Sequence, residues 1–393
     1  MKRAVLKPKR EFSVRKRHPW VFSGAIKSIS GEVAEGDLVR VESCSHEFLA
    51  LGHYQIGSIA IRIISFEDVS IDRAFFTKRI ENAYGLRRAL VTGDTNAYRL
   101  IHGEGDCLPG LVVDVYNDTA VLQAHSVGMH TLRTLLAEII VEVVPEVSKV
   151  YYKSEGTMPH KAPVEVVDGY LIGSYDESDE IAVENGLKFH ADWLEGQKTG
   201  FFLDQKYNRQ AAARLAHGKR VLDCFTHTGA FALNCAAAGA EHVTAVDISS
   251  LAIGQTKKNA EMNGLTDKMS FVEADVFELL TFLAEKKRGE YDYIILDPPA
   301  FTKSSSTVKD AFRGYKDINM RAMRSLPRGG YLATCSCSHF MVDELFRKML
   351  AEAAHDAGVS LRQIEARTQS PDHPILWNVP ETDYLKFYLF QLV

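Results

Sequence analysis

Four acidic residues and two cysteines follow short apolar runs in the C-terminal half of the sequence. The acids are Asp223, Asp247, Asp275 and Asp297, and the thiols of GGYLATCSCS are Cys335 and Cys337. A carboxylate at such a position can bind ribose hydroxyls, and a thiolate is a strong nucleophile that can add to an electron-poor ring carbon. These residue types predict a site that binds a nucleoside and attacks a heterocyclic base.

The elements that would position these side chains begin with Val221–Asp247. Here VLDCF has the length of a buried strand, residues 226–229 form a small polar turn, residues 230–240 are rich in helix formers, and HVTAVD is a second strand. A helix between two buried strands is the βαβ unit of a parallel, doubly wound sheet. MSFVEAD, DYIILD and GGYLATCSCS continue the pattern, so the acids and thiols would meet at the carboxyl edge, where such sheets bind ligands.

The predicted ligand is an adenosine derivative without phosphates. Asp247 lies 24 positions after Asp223, about where a ribose-binding acid belongs in a mononucleotide-binding half. The first turn offers one glycine, Gly229, whereas a pyrophosphate site of the GxGxxG kind has three. S-adenosylmethionine is the common ligand of this kind, and Asp204 and Gln205 precede the βαβ unit closely enough to line the same pocket.

Asp297 begins the sequence DPPAF, in which two prolines fix the turn and keep the residue before them extended. Its carboxylate would point into the pocket and hold the N3/N4 edge of a cytosine while a thiolate attacks carbon 6, which makes carbon 5 nucleophilic. Cys335 and Cys337 share one side of a strand; Cys337 lies farther toward the rim and is favoured as the nucleophile, with Cys335 as the alternative. A site for exocyclic amines would place an aromatic residue directly after the prolines, where this chain has Ala300 and only then Phe301.

Two basic segments favour an RNA partner. Residues 1–17 contain eight Lys and Arg residues and one acid, and residues 302–317 follow the DPPAF turn with further basic residues. Basic groups bind phosphates and aromatic rings stack on bases. The alternatives are a solvated terminus, a role for Trp20 in the core of a small barrel, and a solvated helix face for the second segment. The predicted RNA contacts are Arg17, Trp20, Lys303, Arg313 and Lys316.

The composition is that of a soluble globular chain. It has 393 residues, of which 46% are hydrophobic and 25% charged, with a net charge of −5, and this length suggests two or three domains. No apolar run is long enough to span a membrane, and the N-terminus lacks the apolar segment of a signal peptide. Six scattered cysteines without a CxxC pair predict neither zinc nor disulfides. We therefore expect a cytoplasmic protein without a metal or a membrane partner.

Over nearly its whole length the sequence resembles the bacterial ribosomal RNA cytosine-5 methyltransferases with an N-terminal PUA domain. The motifs that carry the resemblance are HPWVFSGAI, RLIHGEGDCLPGLVVDVY, TGFFLDQKYNR, VLDCFTHTGAF, DPPAF, TCSCS and DHP…ETDYLKF. The resemblance implies an α/β fold with three parts: a β-barrel PUA domain that binds RNA (residues 1–70), a central α+β domain (71–184), and a class I (Rossmann-like) methyltransferase domain (185–393). It also implies S-adenosylmethionine as cofactor and ribosomal RNA as partner.

The resemblance extends to single residues. By similarity the nucleophile is Cys337, seven residues after the Gly-Gly pair of the last motif, while Asp247 binds the ribose and Asp275 the adenine. Related enzymes carry a cysteine at the position of Ala300, so product release would proceed differently here. The cofactor contacts predicted from pattern and resemblance together are Asp204, Gln205, Asp223, Thr226, Gly229, Asp247, Asp275 and Asp297.

Three other functions remain compatible with the sequence. The same fold and cofactor could methylate guanine N2 or another base atom, or the chain could be a non-catalytic RNA-binding assembly factor. A small-molecule methyltransferase is disfavoured by the basic N-terminal module. The target nucleotide and the oligomeric state, a homodimer included, stay open at this point.

Overall fold

The computed structural model describes residues 2–91, 93–159, 162, 164–176, 180–302 and 304–393. The chain divides by its internal contacts into two compact units. Unit 1 contains residues 1–186, 191–203 and 371–382, and unit 2 contains residues 187–190, 204–370 and 383–393. The three predicted domains, with boundaries at 70/71 and 184/185, stay a prediction. The division into two units shows which residues pack together and does not show which segments fold independently.

The first sheet of unit 1 is built from six short strands of three to seven residues. Its spatial order is β2-β6-β5-β4-β1-β3, with β1 parallel to β4 and the other pairs antiparallel. Inward side chains such as Ala4, Val39, Val41 and Ile61 are fully buried and form its core. The elements are β1 (Lys2–Leu6), α1 (Phe12–Arg15), β2 (Trp20–Phe22), β3 (Ile26–Ile29), β4 (Leu38–Glu42), β5 (Phe48–Tyr54) and β6 (Ile59–Ser65).

The second sheet of unit 1 has the order β11-β10-β9-β8-β7. Asp72 caps the N-terminus of helix α2 (Arg73–Leu90), because its side chain accepts a hydrogen bond from the amide of Phe75. Helices α2 and α4 share one apolar core with the sheet. The elements are α2 (Arg73–Leu90), β7 (Ala97–His102), β8 (Leu111–Tyr116), β9 (Thr119–Ala124), α3 (Val127–Thr131), α4 (Arg133–Val143), β10 (Lys149–Tyr152), β11 (Gly169–Ile172) and β12 (Ile181–Glu184).

Residues 371–382, here called the C-terminal strap, return to unit 1 from the far end of the sequence. Asp372 is buried; its carbonyl accepts a hydrogen bond from Arg87 at 2.9 Å, and its Oδ2 accepts one from the amide of Arg99 at 3.2 Å. The ring of buried His373 lies 5.0 Å from that of His102. Buried charged groups are stable only when they are paired, so these contacts fix the strap firmly to the sheet.

Unit 2 is organised around a seven-stranded sheet of order β16-β15-β14-β17-β18-β20-β19. Strands β14 to β18 are parallel, whereas β20 runs antiparallel to both β18 and β19. The elements are β13 (Leu187–His190), α5 (Lys206–Ala213), β14 (Arg220–Cys224), α6 (Ala230–Ala237), β15 (His242–Asp247), α7 (Ser250–Met262), β16 (Met269–Glu273), α8 (Val276–Lys286), β17 (Tyr293–Leu296), α9 (Val308–Ser325), β18 (Tyr331–Ser336), α10 (Asp343–Ala357), β19 (Leu361–Arg367) and β20 (Lys386–Leu392).

The strand order reverses at β14. The chain passes from β14 outward through β15 to β16 and then returns to the other side of β14 to form β17. Such a reversal opens a crevice at the carboxyl ends of the two central strands. The predicted α/β fold with a doubly wound sheet is therefore confirmed, and the strand order places the crevice between the ends of β14 and β17.

Candidate active site at the strand ends of unit 2

The loop that follows β14 has an unusual backbone. Phe225, His227 and Gly229 have φ angles of 61°, 51° and 81°, in the left-handed region that non-glycine residues seldom adopt. The amide of Thr226 donates to the carbonyl of Val246 at 3.0 Å, which ties the loop to the end of β15. Residues in such conformations are held in place by their surroundings and cluster at ligand-binding sites.

Gly229 supports a direct test of this loop. A Cβ atom at this position would lie 2.5 Å from Thr256 Cγ2 and 2.8 Å from Leu233 Cδ1, and the φ of +81° disfavours any side chain. We expect Gly229→Ala to lower the free energy of unfolding by about 1–3 kcal/mol, measured by urea denaturation. The matched control is Gly254→Ala in α7, where a Cβ meets nothing within 4 Å; this change should be neutral or stabilising, because alanine favours helix. Equal stability of both variants would contradict the close contact at Gly229.

Asp223 near the end of β14 is buried, and only one of its two carboxyl oxygens is hydrogen-bonded among the described residues. Its Oδ2 accepts hydrogen bonds from Thr226 Oγ1 at 2.6 Å and from the amide of Ala232 at 3.0 Å. Its Oδ1 is buried without a hydrogen-bond partner among the described residues. Burial, and secondarily the charge of Asp297, raises the pKa of Asp223 to about 7. A buried carboxyl oxygen without a partner is costly, so this atom is placed to accept a hydrogen bond from a ligand.

Asp247 ends β15 and shapes the neighbouring part of the crevice. One carboxylate oxygen accepts the amide of His227 and the other the amide of Ser249, both at 3.0 Å. Directly after it, the side chain of Ile248 is 68% exposed. Sequence reasoning missed Ile248, although an apolar residue directly after a strand-end acid was the available signal. An apolar surface beside hydrogen-bonding carboxylates suits a ligand with a flat ring and a polyol.

Asp275 follows β16 and acts locally as a helix cap. Its Oδ1 accepts hydrogen bonds from the amides of Phe277 at 2.7 Å and Glu278 at 3.1 Å, at the start of α8. A cap of this kind stabilises a helix by about 1 kcal/mol. The capping role fixes the position of Asp275 at the edge of the sheet, and its predicted contact to adenine stays a prediction.

Asp297 follows β17 and lies among polar side chains from the segment before β14. Gln205 Nε2 donates to Asp297 Oδ1 at 3.0 Å, and Asn208 Nδ2 in turn donates to Gln205 Oε1 at 2.7 Å. These bonds fix the orientation of the carboxyl group. Gln205 was predicted to line the pocket, and the structure brings it into contact with the predicted catalytic acid.

The environment of Asp297 favours its protonated form. Desolvation, followed by the negative charge of Asp204, raises the pKa of Asp297 to about 6, although the Arg209 guanidinium and the bond from Gln205 act in the opposite direction. Asp204 is itself buried and accepts a hydrogen bond from the Tyr384 hydroxyl at 2.7 Å. A carboxyl group with a pKa near neutrality can both donate and accept a proton under physiological conditions.

The two cysteines of TCSCS have different surroundings. Cys335 lies inside β18 opposite Phe387 of β20 and is fully buried. Burial, and secondarily the charge of Asp297, raises the pKa of the Cys335 thiol well above its usual range. Cys337 lies just beyond the last residue of β18 and is partly exposed. Accessibility therefore favours Cys337 as the nucleophile, since a buried neutral thiol is unreactive.

Lys386 at the start of β20 is a further residue of this region that sequence reasoning missed. Its Nζ donates to the carbonyls of Ser338 at 2.7 Å and Tyr384 at 2.8 Å, and thus braces the turn that contains Cys337. Burial lowers the pKa of Lys386 to about 8, and the nearby Cys337 is the largest influence in the other direction. A lysine that opens the apolar run KFYLFQL was the available signal. An ammonium group that interacts with a thiol favours the thiolate form.

The residues predicted to contact RNA in unit 1 differ in exposure. Arg17 is exposed, with its guanidinium 5.5 Å from the centre of the Phe66 ring. Trp20 is partly buried, and its indole N–H donates to Glu104 at 2.7 Å. The structure therefore gives Trp20 a packing role in addition to the predicted one.

The residues predicted to contact RNA in unit 2 follow the DPPAF turn. Arg313 is exposed and lies 3.4 Å from Asp310, one turn earlier on α9. Lys316 makes ion pairs with Glu352 at 3.3 Å and Asp356 at 2.9 Å, which offset its charge locally. Lys303 lies outside the described residues. All of these RNA contacts stay predictions, and Lys316 gains no support from its surroundings.

Comparison with known proteins decides the family. A profile of the S-adenosylmethionine-dependent methyltransferases matches residues 98–391, and a profile of PUA-like domains matches residues 4–66. The chain belongs to the S-adenosylmethionine-dependent methyltransferase family. The predicted combination of a PUA-like domain with a methyltransferase domain is thereby confirmed, and the cofactor of this methyltransferase is S-adenosylmethionine.

Curated relatives of this methyltransferase match it along almost its whole length. A protein of Shewanella amazonensis named Ribosomal RNA large subunit methyltransferase I is 41% identical over 388 residues, which cover 98% of each chain. An Escherichia coli protein of the same name is 40% identical over 389 residues, again 98% of each chain.

Solved structures share the fold of this methyltransferase at lower sequence identity. A candidate SAM-dependent methyltransferase from Streptococcus mutans is 22% identical with a TM-score of 0.84, and a methyltransferase complexed with SAH is 21% identical with a TM-score of 0.85. Both comparisons cover 100% of each chain. At this identity they establish the fold alone.

The crevice of the methyltransferase fits its cofactor. The unpartnered Oδ1 of Asp223, the backbone of residues 225–229 held away from β-strand geometry, and the exposed side chain of Ile248 are the features that a nucleoside with an amino-acid chain would need. In the part of the chain that the structure describes, no three His, Cys, Asp or Glu side chains are grouped to hold a metal ion. No described helix combines the length and apolar character that a membrane crossing requires.

Proposed function

We propose that the protein forms 5-methylcytosine in large-subunit ribosomal RNA through a covalent adduct of Cys337. The proposal depends on one observation: Asp297 follows β17 and Cys337 follows β18, and these two strands are parallel neighbours. Leu296 lies opposite Thr334, so Asp297 is level with Cys335, which it contacts, and Cys337 lies two residues farther toward the rim. The proposed proton donor and the proposed nucleophile thus follow adjacent strands, at the carboxyl edge where doubly wound sheets bind ligands. The names and coverage of the curated relatives support ribosomal RNA as the substrate class.

The residues that would hold the cofactor come from successive strand ends. Asp223 Oδ1 would accept a hydrogen bond, Asp247 would accept the ribose hydroxyls, and Ile248 would cover one face of the adenine. Thr226 and Gly229 shape the loop between them, while Asp204, Gln205 and Asp275 line the remaining edge. When bound, S-adenosylmethionine supplies an electrophilic methyl group.

The protein's own residues would activate the cytosine. The Cys337 thiolate, stabilised by the Lys386 ammonium, forms a bond to carbon 6, and the displaced electron pair moves toward N3. Asp297 in its protonated form donates to N3 and holds the N3/N4 edge, which makes carbon 5 nucleophilic. After methylation the carbon 5 proton is lost to a base, the bond from carbon 6 to sulfur breaks as the ring double bond re-forms, and the thiolate is regenerated. The N3 proton returns to Asp297, so the acid is also restored.

The position of Phe301 favours this chemistry over methylation of an exocyclic amine. An amine site would use an aromatic ring near the prolines to stack on the base. The Phe301 ring instead packs against Tyr315, with ring centres 4.5 Å apart, and against Phe277 at 6.2 Å. It thus packs against the apolar core of unit 2.

The proposal also assigns a role to each part of the chain. Residues 1–70 form the RNA-binding PUA domain, residues 71–184 the central domain and residues 185–393 the catalytic domain.

Product analysis tests the proposal. The purified protein is incubated with large-subunit ribosomal RNA transcribed in vitro and with S-adenosylmethionine carrying an isotopically labelled methyl group, and the RNA is then digested to nucleosides for mass spectrometry. We expect the label in 5-methylcytidine. Small-subunit ribosomal RNA is the control substrate and should acquire no label. Label in N2-methylguanosine would show that the protein methylates an exocyclic amine and not carbon 5 of cytosine. Absence of label from every nucleoside would instead support a non-catalytic assembly factor.

A further inference from the structure

The C-terminal strap presents one side chain to solvent almost completely. Trp377 is 99% exposed, whereas Trp193 is fully buried and Trp20 partly buried. Tryptophan is highly buried on average in folded proteins, so full exposure of the indole is unusual. Its position is nonetheless fixed, because residues 376–379 form a turn closed by the hydrogen bond from the Val379 amide to the Leu376 carbonyl at 2.9 Å.

The base of this turn is attached to the N-terminal basic segment. Asn378 Nδ2 donates to the carbonyl of Arg17 at 2.8 Å and of Lys16 at 3.4 Å, across more than 360 positions of sequence. Val379 is fully buried, and Thr382 Oγ1 donates to its carbonyl at 2.7 Å. These contacts attach the turn that carries Trp377 to the backbone of Lys16 and Arg17, two exposed basic residues.

The N-terminal basic segment itself combines an exposed cation with an exposed aromatic ring. The Lys16 ammonium lies 4.4 Å from the centre of the Phe12 ring, and Phe12 is itself 63% exposed. Cations beside exposed aromatic rings are the combination that proteins use for unpaired nucleic acid, since the cations bind phosphates and every base can stack on a ring. A protein partner would be expected to favour a larger contiguous apolar patch with fewer charges.

We propose that Phe12, Lys16, Arg17, Trp377 and Asn378, here called the Trp377 surface, bind an unpaired segment of the RNA substrate, with one base stacked on the Trp377 indole. This inference rests on the proposed function for the class of substrate and adds the residue that contacts the RNA. The turn is ordered before binding, so little conformational entropy is lost when the base stacks.

Binding of a fluorescein-labelled, unstructured RNA of about 12 nucleotides tests the surface, because such sites span several nucleotides. We expect Trp377→Ala and Trp377→Leu to weaken binding about tenfold, the effect typical of one lost base stack. Trp377→Phe keeps an aromatic face and should stay close to wild type. Val167→Ala removes another exposed apolar side chain of unit 1, 71% exposed, and should have no effect. Thermal unfolding checks that each variant remains folded.

Fluorescence gives a second readout for the same residue. The difference between wild type and Trp377→Phe reports the Trp377 indole, which acrylamide should quench readily in the free protein and less readily when the RNA is bound. If Trp377→Ala bound the RNA with unchanged affinity, the proposed RNA-binding role of the Trp377 surface would be wrong. The proposed function would not be affected by that result, because it is tested separately by the methylated product. If the wild-type protein were a dimer, and Trp377→Ala were a monomer with unchanged RNA affinity, the Trp377 surface would bind a second copy of the chain and not RNA.

Discussion

Replacing Cys337 with alanine should abolish methyl transfer to RNA. The proposed reaction depends on a sulfur that bonds to carbon 6 of the cytosine, and loss of a catalytic nucleophile typically costs a factor of about 10⁴ or more in rate. The measurement is transfer of labelled methyl groups to ribosomal RNA at saturating cofactor. Cofactor binding, measured by calorimetry, should be unchanged, because Cys337 lies beyond the end of β18, whereas the acids proposed to hold the nucleoside lie at the ends of β14, β15 and β16.

Cys335→Ala is the matched control for this experiment. Cys335 is two residues earlier, fully buried, and has a pKa raised well above its usual range by burial. The Cys335 side chain also hydrogen-bonds Asp297 and lowers the pKa of that acid. We therefore expect this variant to lose far less activity than Cys337→Ala, to have a higher pKa at Asp297, and to lose the stability expected for a small core truncation, about 1 kcal/mol. The opposite pattern, with Cys335→Ala inactive and Cys337→Ala active, would assign the nucleophile to Cys335.

The adduct can also be observed directly. RNA containing 5-fluorocytidine cannot lose a proton from carbon 5, so a protein that attacks carbon 6 should accumulate as a covalent complex that survives denaturing electrophoresis. We expect this complex with wild type and Cys335→Ala and none with Cys337→Ala. If the wild-type protein methylated normal RNA but formed no such complex with the fluorinated RNA, the covalent mechanism would be wrong.

Replacing Asp297 with asparagine should have the second-largest effect. A positioned acid or base contributes about 10² to 10⁴ in rate, and asparagine can hold the base edge but cannot deliver a proton to N3. We therefore expect kcat to fall by about this factor, with a smaller change in KM. Activity within about threefold of wild type would contradict a proton-donating role, since it lies below that range.

The dependence of kcat/KM on pH separates the two roles of Asp297. Its pKa is about 6, so above that pH the protonated fraction falls tenfold per unit, while the thiolate fraction of the nucleophile rises. These changes cancel, and wild-type kcat/KM should be flat from about pH 6 until the thiol is largely ionised. Below pH 6 Asp297 is already protonated and the rate should fall as the thiolate is lost. Asp297→Asn lacks the opposing group, so its residual kcat/KM should rise with pH through the flat region.

Asp204→Asn provides the control for this profile. The negative charge of Asp204 is the second cause of the raised pKa of Asp297, after desolvation. Its removal should lower the pKa of Asp297 and move the acidic limb of the wild-type profile to lower pH without removing it. An acidic limb that does not move would mean that another group controls it.

The sequence alone determined the kinds of element and the residues at their ends. Apolar runs of strand length, a helix rich in alanine and an acid after each run are local features, and local features are sufficient to predict a parallel sheet with carboxylates at one edge. The turn at Gly229 was likewise readable from residue type. For the same reason the family motifs predicted the cofactor and the PUA-like domain.

The tertiary structure decided which of those residues are reactive and exposed. Cys335 and Cys337 are equivalent by alternation, and only the pairing of β18 with β20 buries the first and places Lys386 near the second. The pKa of Asp297 depends on Asp204, 93 positions earlier, because desolvation and charge act through space. In the same way, the attachment of residues 371–382 to unit 1 leaves Trp377 in solvent beside the basic segment. Contacts between residues distant in sequence set these properties, and local pattern carries no information about them.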